Sequence, residues 1–253
     1  MEIYKQIFRD FTAPYLQKAA PEKKADVELK FMHSFEVYKN SCAICESIDL
    51  TGEQAETVQI AALFHDTGRF PQFEKYGTFR DADSCNHATT GVRTILRHHL
   101  LESLSPARRK NILAAIALHN RRQLPEKLAP EIRLATDIVR DSDKVDIIKI
   151  LLSHMQDIRP ESNVALMGLK DIPGLVSEPV LQSIENGQQA NYLDMKSVND
   201  FRLLILSWAY DLNFRWSRQQ MKSLGHVDLL FSQLPDTERI TNLYDPIMEQ
   251  LNS

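Results

Sequence analysis

Glycine is scarce in this chain, with eight among 253 residues, about half of the roughly 7% that is average for proteins. The two glycines nearest to each other in sequence are Gly168 and Gly174. This spacing is too wide for the dinucleotide-binding G-x-G-x-x-G motif or the Walker G-x-x-x-x-G-K-[ST] motif. The sequence therefore excludes the common glycine-rich phosphate-binding loops, and it disfavours a protein built from β-hairpins, whose tight turns need glycine.

Long apolar runs and a surplus of positive charge are also absent. The longest apolar run is Ile112–Leu118, far shorter than the roughly 20 residues of a membrane-spanning helix. The first ten residues lack the apolar stretch of a secretory signal, and three cysteines do not make a disulfide framework. The 30 basic and 34 acidic residues give no basic footprint for nucleic acid. We expect a cytoplasmic protein whose partners include neither a membrane nor a nucleic-acid polymer.

Apolar residues recur at three- and four-residue spacing along most of the chain, which predicts an all-α fold. The predicted helices cover residues 2–19, 26–48, 53–66, 84–101, 106–120, 131–157, 176–186, 197–222 and 236–251. We expect one helical unit over residues 1–253, with a core over 26–150 and a C-terminal helical section over 160–253 that packs on it. The segment from Arg159 to Leu175 contains two prolines and two glycines and is the expected joint.

A stripe of large apolar residues runs along the predicted helix over 197–222. Its members are Phe201, Ile205, Trp208, Leu212 and Trp216. Such spacing is typical of a helix face packed in a core. The alternative is that this helix covers the mouth of a site formed by the first half of the chain.

Potential metal ligands accompany three apolar helices. Ile60–Phe64 lead into His65 and Asp66, and the run ending at Leu118 leads into His119. In the third helix, Asp143 lies at the centre of an apolar stripe. Burying a carboxylate is unfavourable unless it has a partner, and a bound cation would supply one.

Helical spacing also distinguishes the acids around Asp143. Asp143 lies four residues from both Val139 and Ile147, on the apolar face, whereas Asp141 is rotated about 200° away and should point to solvent. Asp146 remains a possible neighbour of the ligand. We therefore take Asp143 as the metal ligand of this helix.

Two further histidines lie in helices with apolar faces. His33 shares a face with Val37, and His87 is followed one turn later by Gly91, where the missing side chain would let other groups approach. Each histidine alone is more often a core residue than a ligand. Their order along the chain, together with the residues above, changes that interpretation.

This order, H…HD…H…H…D, resembles the signature of the HD-domain superfamily of metal-dependent phosphohydrolases. The segment H-D-T-G-R-F-P from His65 is close to the family's H-D-[IT]-G-[KR]-x-P. The segment from His87 to Leu96 is similar to H-x-x-x-G-x-x-x-[IL]-L, and Asp143-Lys-Val-Asp is similar to the closing D-x-[LV]-D. The resemblance covers roughly residues 26–150 and implies an all-α HD-domain helical bundle with additional C-terminal helices.

The resemblance also implies a metal centre. Its ligands for one metal would be His33, His65, Asp66 and Asp143. In relatives with the longer signature, Asp66 bridges to a second metal that His87 and His119 also hold. Some of those relatives have another histidine after His119, where this chain has Asn120. Nitrogen and oxygen ligands together suit Mn, Fe, Co, Ni or Zn, with Mg also possible.

The expected activity is hydrolysis of a phosphoester in a small phosphorylated metabolite or nucleotide, since two divalent ions can activate water and bind phosphoryl oxygens. Asp66 and Arg69 are the expected catalytic residues, and the forked guanidinium of Arg69 suits phosphate. Lys144 and Arg80 are further candidates, although surface or salt-bridged positions are the simpler interpretation for both. Gly68 is expected to cap a helix and turn the chain so that Arg69 reaches the metals.

Two other functions are compatible with the same residues. Some relatives with the six-ligand pattern are di-iron oxygenases, and degenerate members are regulatory modules that bind metal or nucleotide without catalysis. The intact ligand set weighs against a degenerate module. The sequence does not identify the substrate or the oligomeric state.

The remaining histidines and the cysteines are expected to have structural roles. Cys42 and Cys45 form a C-x-x-C inside a predicted helix, where buried thiols pack as small apolar groups. The other histidines are expected to be exposed or to cap helices. These are His98, His99, His154 and His226.

Overall fold

The computed structural model describes the backbone of residues 1–156 and 169–253, and the side chains of 1–150 and 169–253 apart from Leu224. The α-helices are α1 (Glu2–Lys18), α2 (Pro21–Ser47), α3 (Gly52–Phe64), α4 (Arg69–Tyr76), α5 (His87–Arg97), α6 (Pro106–Leu118), α7 (Pro130–Gln156), α8 (Glu178–Glu185), α9 (Val198–Ser207), α10 (Arg215–Lys222), α11 (His226–Ser232), α12 (Glu238–Thr241) and α13 (Tyr244–Asn252). Short 3-10 helices cover Asp81–Asp83, Tyr192–Asp194, Trp208–Asp211 and Ser223–Gly225. The all-α prediction is confirmed, and in the described ranges the β-structure is one isolated bridge between Lys170 and Ser197.

The chain divides into two compact units, Met1–Asp146 and Ile147–Ser253, with the boundary inside α7. The predicted joint between Arg159 and Leu175 falls largely outside the described residues, which resume at 169. The arrangement of a core over 26–150 with a section over 160–253 packed on it stays a prediction. Within the described ranges, no helix combines the length and apolar character needed to cross a membrane.

The first unit is built around α3, which packs against α1, α2 and α6. Its last residues, Ile60–Phe64, have no solvent exposure, so the apolar run predicted from the sequence is a fully buried helix. The ring of Phe8 in α1 contacts Phe64 and, in α4, Phe70, with ring centroids 5.3 and 5.9 Å apart. This packing fixes the end of α3, where His65 and Asp66 follow.

Gly68 and Gly91 face each other where the start of α4 meets α5. Gly68 has right-handed helical angles, φ −70° and ψ −17°, so the expectation that it caps α3 in a sharp turn is wrong. A Cβ atom on Gly68 would lie 2.1 Å from the carbonyl oxygen of His87 and 2.5 Å from the backbone nitrogen of Gly91. Position 68 therefore needs glycine, because the backbones of α4 and α5 approach closely there. The prediction that other groups approach Gly91 is confirmed by the same contact.

The second unit contains an apolar core built around α9. The stripe residues Phe201, Ile205, Trp208 and Leu212 are buried in it, as predicted, whereas Trp216 is half-buried. The single helix predicted over 197–222 is wrong, because the chain tightens into a 3-10 turn after Ser207 and is extended at Leu212 before α10 begins. Apolar spacing continues through this break, so periodicity alone does not reveal it.

Candidate metal centre

Five helices of the first unit carry the residues that the H…HD…H…H…D pattern singled out. His33 lies within α2, His65 and Asp66 directly follow α3, His87 begins α5, His119 follows α6, and Asp143 lies within α7. The four histidines and Asp66 are buried, and the Asp143 side chain is 20% exposed. The structure thus brings all six residues to one place inside the first unit.

The first half-site consists of His33, His65, Asp143 and the Oδ2 atom of Asp66. His33 Nε2 lies 3.0 Å and His65 Nε2 lies 3.6 Å from Asp143 Oδ1. Both Nε2 atoms lie 3.6 Å from Asp66 Oδ2. The ligand atoms of His33, His65 and Asp143 all lie within 4.8 Å of one another, close enough to hold one metal ion.

The second half-site consists of His87, His119 and the Oδ1 atom of Asp66. His87 Nε2 lies 3.5 Å and His119 Nε2 lies 3.9 Å from Asp66 Oδ1. The two Nε2 atoms lie 3.1 Å apart. Asp66 therefore presents one carboxylate oxygen to each half-site, as a bridging ligand of two ions would.

Backbone hydrogen bonds at two helix ends orient His65 and His119. Each histidine follows the last residue of an apolar helix, where backbone carbonyls lack intrahelical partners. The Nδ1 atom of His65 donates to the Ala62 carbonyl at 2.8 Å, and that of His119 donates to the Ile116 carbonyl at 2.7 Å. Since a carbonyl can only accept, the proton lies on Nδ1 in both rings, which leaves Nε2 with a free lone pair for a metal.

Carboxylates orient the other two histidines. His33 Nδ1 lies 2.6 Å from Asp146 Oδ2, and His87 Nδ1 lies 2.7 Å from Asp81 Oδ2. Carboxylate–histidine pairs of this kind fix the ring orientation and raise the basicity of the ligating nitrogen. Each half-site thus combines one histidine oriented by a carboxylate with one oriented by a backbone carbonyl.

The donor atoms fit a divalent transition metal. His33 Nε2, His65 Nε2 and Asp143 Oδ1 are buried and have no hydrogen-bond partner among the described residues. Buried polar atoms are rarely left without partners, and these three converge on one point. Histidine nitrogen with carboxylate oxygen is a donor set for Mn, Fe, Co, Ni or Zn.

Charge–charge interactions keep both carboxylates ionised. Burial alone would raise the pKa of Asp66, but Lys30 and the neighbouring histidines and Arg69 lower it well below the usual value. Burial likewise opposes ionisation of Asp143, and the close approach of His33 and His65 lowers its pKa well below the usual value. Both carboxylates are therefore available to a cation at neutral pH.

The histidines of the second half-site are held neutral. Burial is the largest of the causes that lower the pKa of His119 to about 3. Burial and Arg69 also lower the pKa of His87. Neutral imidazole is the form that binds metal, so these rings need not lose a proton at pH 7 to become ligands.

Two cations approach Asp66. Lys30 Nζ lies 2.9 Å from Asp66 Oδ2, and Arg69 Nε lies 3.4 Å from Asp66 Oδ1. Arg69 Nη1 also donates to Asp81 Oδ1 at 3.0 Å, to Gln72 Oε1 at 3.0 Å and to the Phe79 carbonyl. Arg69 thus lies beside Asp66 at the candidate centre, but part of its guanidinium already binds other protein groups, and its catalytic role stays a prediction.

The surface positions expected for Asp141 and Lys144, both in α7, are wrong, whereas the surface position expected for Arg80 is confirmed. Asp141 is fully buried rather than exposed, and Lys144 is buried with 7% exposure rather than on the surface. The reason is that α7 is covered on more than one side, so a helical wheel with one solvent face does not apply. Arg80 is a surface residue that pairs with Asp83 at 3.2 Å, and the catalytic role of Lys144 stays a prediction.

Sequence reasoning missed Asp81 and Lys30. Asp81 lies in a three-residue 3-10 turn, where no periodicity marks it. Lys30 precedes His33 by about one turn of α2. This spacing is the sequence feature that could have indicated that the two side chains share a helix face. Asn120, where some relatives have histidine, donates to Asp81 Oδ2 at 3.4 Å.

The residues expected to be structural mostly are. His98 and His99 are exposed, as predicted, whereas His226 is buried with 8% exposure, because α11 packs its first turn into the second unit. The side chain of His154 lies outside the described residues. All three cysteines are free, with Cys45 buried and the other two half-buried.

A family model described as the HD domain matches residues 31–165, which is more than half of the chain. The chain therefore belongs to the HD-domain family, a superfamily of metal-dependent, hydrolase-type proteins. Residues 31–165 include all six residues of the centre. No curated protein and no solved structure matches the chain.

Proposed function

We propose that this protein is a metal-dependent phosphohydrolase that cleaves a phosphoester of a small phosphorylated metabolite or nucleotide. The observation that carries the proposal is the position of Asp66, whose Oδ2 lies 3.6 Å from the Nε2 atoms of His33 and His65 and whose Oδ1 lies 3.5 and 3.9 Å from those of His87 and His119. A carboxylate shared in this way suits a pair of divalent ions. Such ions lower the pKa of a bound water and stabilise the charge that develops on a phosphoryl group.

The protein residues have distinct roles in this proposal. His33, His65, Asp66 and Asp143 would hold one ion, and His87 and His119, with Asp66, would hold the other. In this scheme the second ion has fewer protein ligands, which leaves room for substrate oxygen atoms.

Two cations complete the proposed substrate site. The Lys30 side chain is 18% exposed and the Arg69 side chain is 16% exposed, so both can meet an anionic ligand beside the metals. A cation that also pairs with a metal-bridging carboxylate is well placed to bind a phosphate oxygen. A cytoplasmic location and the absence of membrane or nucleic-acid partners remain predictions.

The test is a hydrolysis assay with defined metal content. The protein is stripped with a chelator, reloaded with Mn²⁺, and assayed for phosphate release from a panel of phosphate monoesters, diesters and nucleotides. We expect release that requires metal and is abolished in His65→Ala and Asp66→Ala, which lose ligand atoms but keep helical circular dichroism. His99→Ala removes an exposed histidine and should behave as wild type.

Two results would contradict the proposal. Full turnover by His65→Ala or Asp66→Ala would show that the centre does not carry the activity. Oxygen consumption by the iron-loaded protein, without phosphate release from any member of the panel, would favour the di-iron oxygenase instead.

A further inference from the structure

Asp81 accepts hydrogen bonds from four side chains around the candidate metal centre, and only one of them, His87, is a proposed metal ligand. It lies in the 3-10 turn between α4 and α5. Its Oδ2 atom accepts from His87 Nδ1 at 2.7 Å and from Asn120 Nδ2 at 3.4 Å, and its Oδ1 atom accepts from Arg69 Nη1 at 3.0 Å and Gln72 Nε2 at 2.9 Å. The backbone N–H of His87 also points to Oδ2, at 3.3 Å.

The position of His87 explains why a carboxylate is needed. His65 and His119 follow helix C-termini and donate Nδ1–H to free backbone carbonyls. His87 is the first residue of α5, and the free backbone groups of a helix N-terminus are N–H donors, not acceptors. The ring therefore needs an acceptor from outside its own helix, and Asp81 supplies it.

The neighbouring acid on the same turn makes no such contacts. Asp83 is 52% exposed and pairs with Arg80, itself 46% exposed. Asp81 is 31% exposed, and its hydrogen bonds all lead toward the centre. The difference between Asp81 and Asp83 indicates that Asp81 serves the candidate metal centre and not only the formation of the turn.

We propose that Asp81 is a positioning residue for the second half-site, which holds His87 in the Nδ1–H form with Nε2 directed at Asp66 and His119. The same carboxylate of Asp81 also binds Arg69. One side chain therefore orients both a proposed metal ligand and a cation of the proposed substrate site. The inference rests on the two-ion centre proposed above. Asp146 has the corresponding role for His33 in the first half-site.

The experiment measures Mn²⁺ binding by calorimetry in chelator-stripped protein, with each half-site weakened by one substitution. His33→Ala removes a ligand of the first half-site, and His119→Ala removes a ligand of the second. Adding Asp81→Ala to His33→Ala should weaken Mn²⁺ binding about 10- to 100-fold, the usual effect of losing a carboxylate behind a ligating histidine. Adding Asp81→Ala to His119→Ala should leave Mn²⁺ affinity unchanged.

Further variants separate positioning from folding. Asp81→Glu should recover part of the affinity because it restores the acceptor, and Asp83→Ala should have no effect in either background. If Asp81→Ala does not fold, Asp81→Asn keeps the size of the side chain and should still weaken the second half-site. Thermal unfolding of the metal-free variants monitors the fold.

Three outcomes would overturn the inference. They are an equal loss of Mn²⁺ affinity in both backgrounds, no loss in either, and failure of the wild-type protein to bind two Mn²⁺ ions. The third would also remove the two-ion centre. Because these measurements involve no substrate, they are independent of whether the protein hydrolyses phosphoesters.

Discussion

Replacing Gly68 by alanine should destabilise the protein and disturb the metal centre. The added Cβ would lie 2.1 Å from the His87 carbonyl oxygen and 2.5 Å from the Gly91 nitrogen, and real Cβ contacts below 3.0 Å are essentially never seen. Both contacts are backbone atoms, so no side chain can rotate away. The start of α4 and the first turn of α5 must separate by about 1 Å.

Two opposing effects set the size of this change. Overpacking of this kind costs about 1–3 kcal/mol, and backbone contacts favour the upper end. The φ of −70° at Gly68 is acceptable to alanine, and the lower entropy of the unfolded chain returns about 0.4–1 kcal/mol. The steric cost is larger than the entropic gain, and we expect a net loss of about 2 kcal/mol in the free energy of unfolding.

The same displacement should also disturb the candidate metal centre, because one of the two clashing backbone atoms belongs to His87. A shift of about 1 Å in a positioned group can reduce a rate by about 100-fold. Mn²⁺ affinity at the second half-site and phosphate release should therefore both fall. Urea denaturation, Mn²⁺ calorimetry and the phosphate assay measure the three effects.

Gly91→Ala is the matched control. Its Cβ would meet Gly68 N at 3.2 Å and other atoms only at 3.7 Å, while alanine gains up to about 1 kcal/mol over glycine inside a helix. We expect a stability close to wild type. A Gly68→Ala protein at least as stable as wild type, or a Gly91→Ala protein that loses as much, would refute the reasoning.

Substitution of Arg69 by alanine should leave Mn²⁺ binding intact and slow the hydrolysis of phosphorylated substrates in the phosphate assay; loss of metal or unchanged turnover would contradict its role. Lys30→Gln removes the charge beside Asp66 and should reduce kcat/KM about 10- to 100-fold, the range for a lost charge-assisted hydrogen bond, whereas an unchanged value would exclude a substrate contact. Burial raises the pKa of the Cys45 thiol to about 11, so a thiol reagent at pH 8 should label Cys45 far more slowly in the native protein than in denaturant. Peptide mass spectrometry would show this, and equal rates would mean that Cys45 is accessible.

Three of the candidate ligand positions were predicted because a polar side chain ends or interrupts an apolar helix, whereas His33 and His87 were added through the order of the H…HD…H…H…D pattern. His65 and His119 are the clearest cases, since both follow apolar runs, which are fully buried before His65 and partly buried before His119. The same reasoning failed for Asp141, which is fully buried. A helical wheel assumes one solvent face, and α7 does not have one.

Other features depend on contacts that no local pattern encodes. The role of Gly68 comes from the approach of α5, distant in sequence, and not from its own backbone angles. Asp81 acts through four side chains, but it lies in a turn too short to show periodicity. The break after Ser207 was missed because apolar residues recur at three- and four-residue spacing on both sides of the 3-10 turn.

The ligands of the first half-site come from positions as far apart in the chain as His33 and Asp143. An unfolded chain offers no such constellation, so an ion that binds there binds the folded state alone. By mass action, metal at 100 times its dissociation constant would add about 2.7 kcal/mol of stability, a large fraction of the total for a typical domain. Metal supply would then affect the resistance of the protein to proteases, because proteases cleave the unfolded chain and bound metal lowers its population.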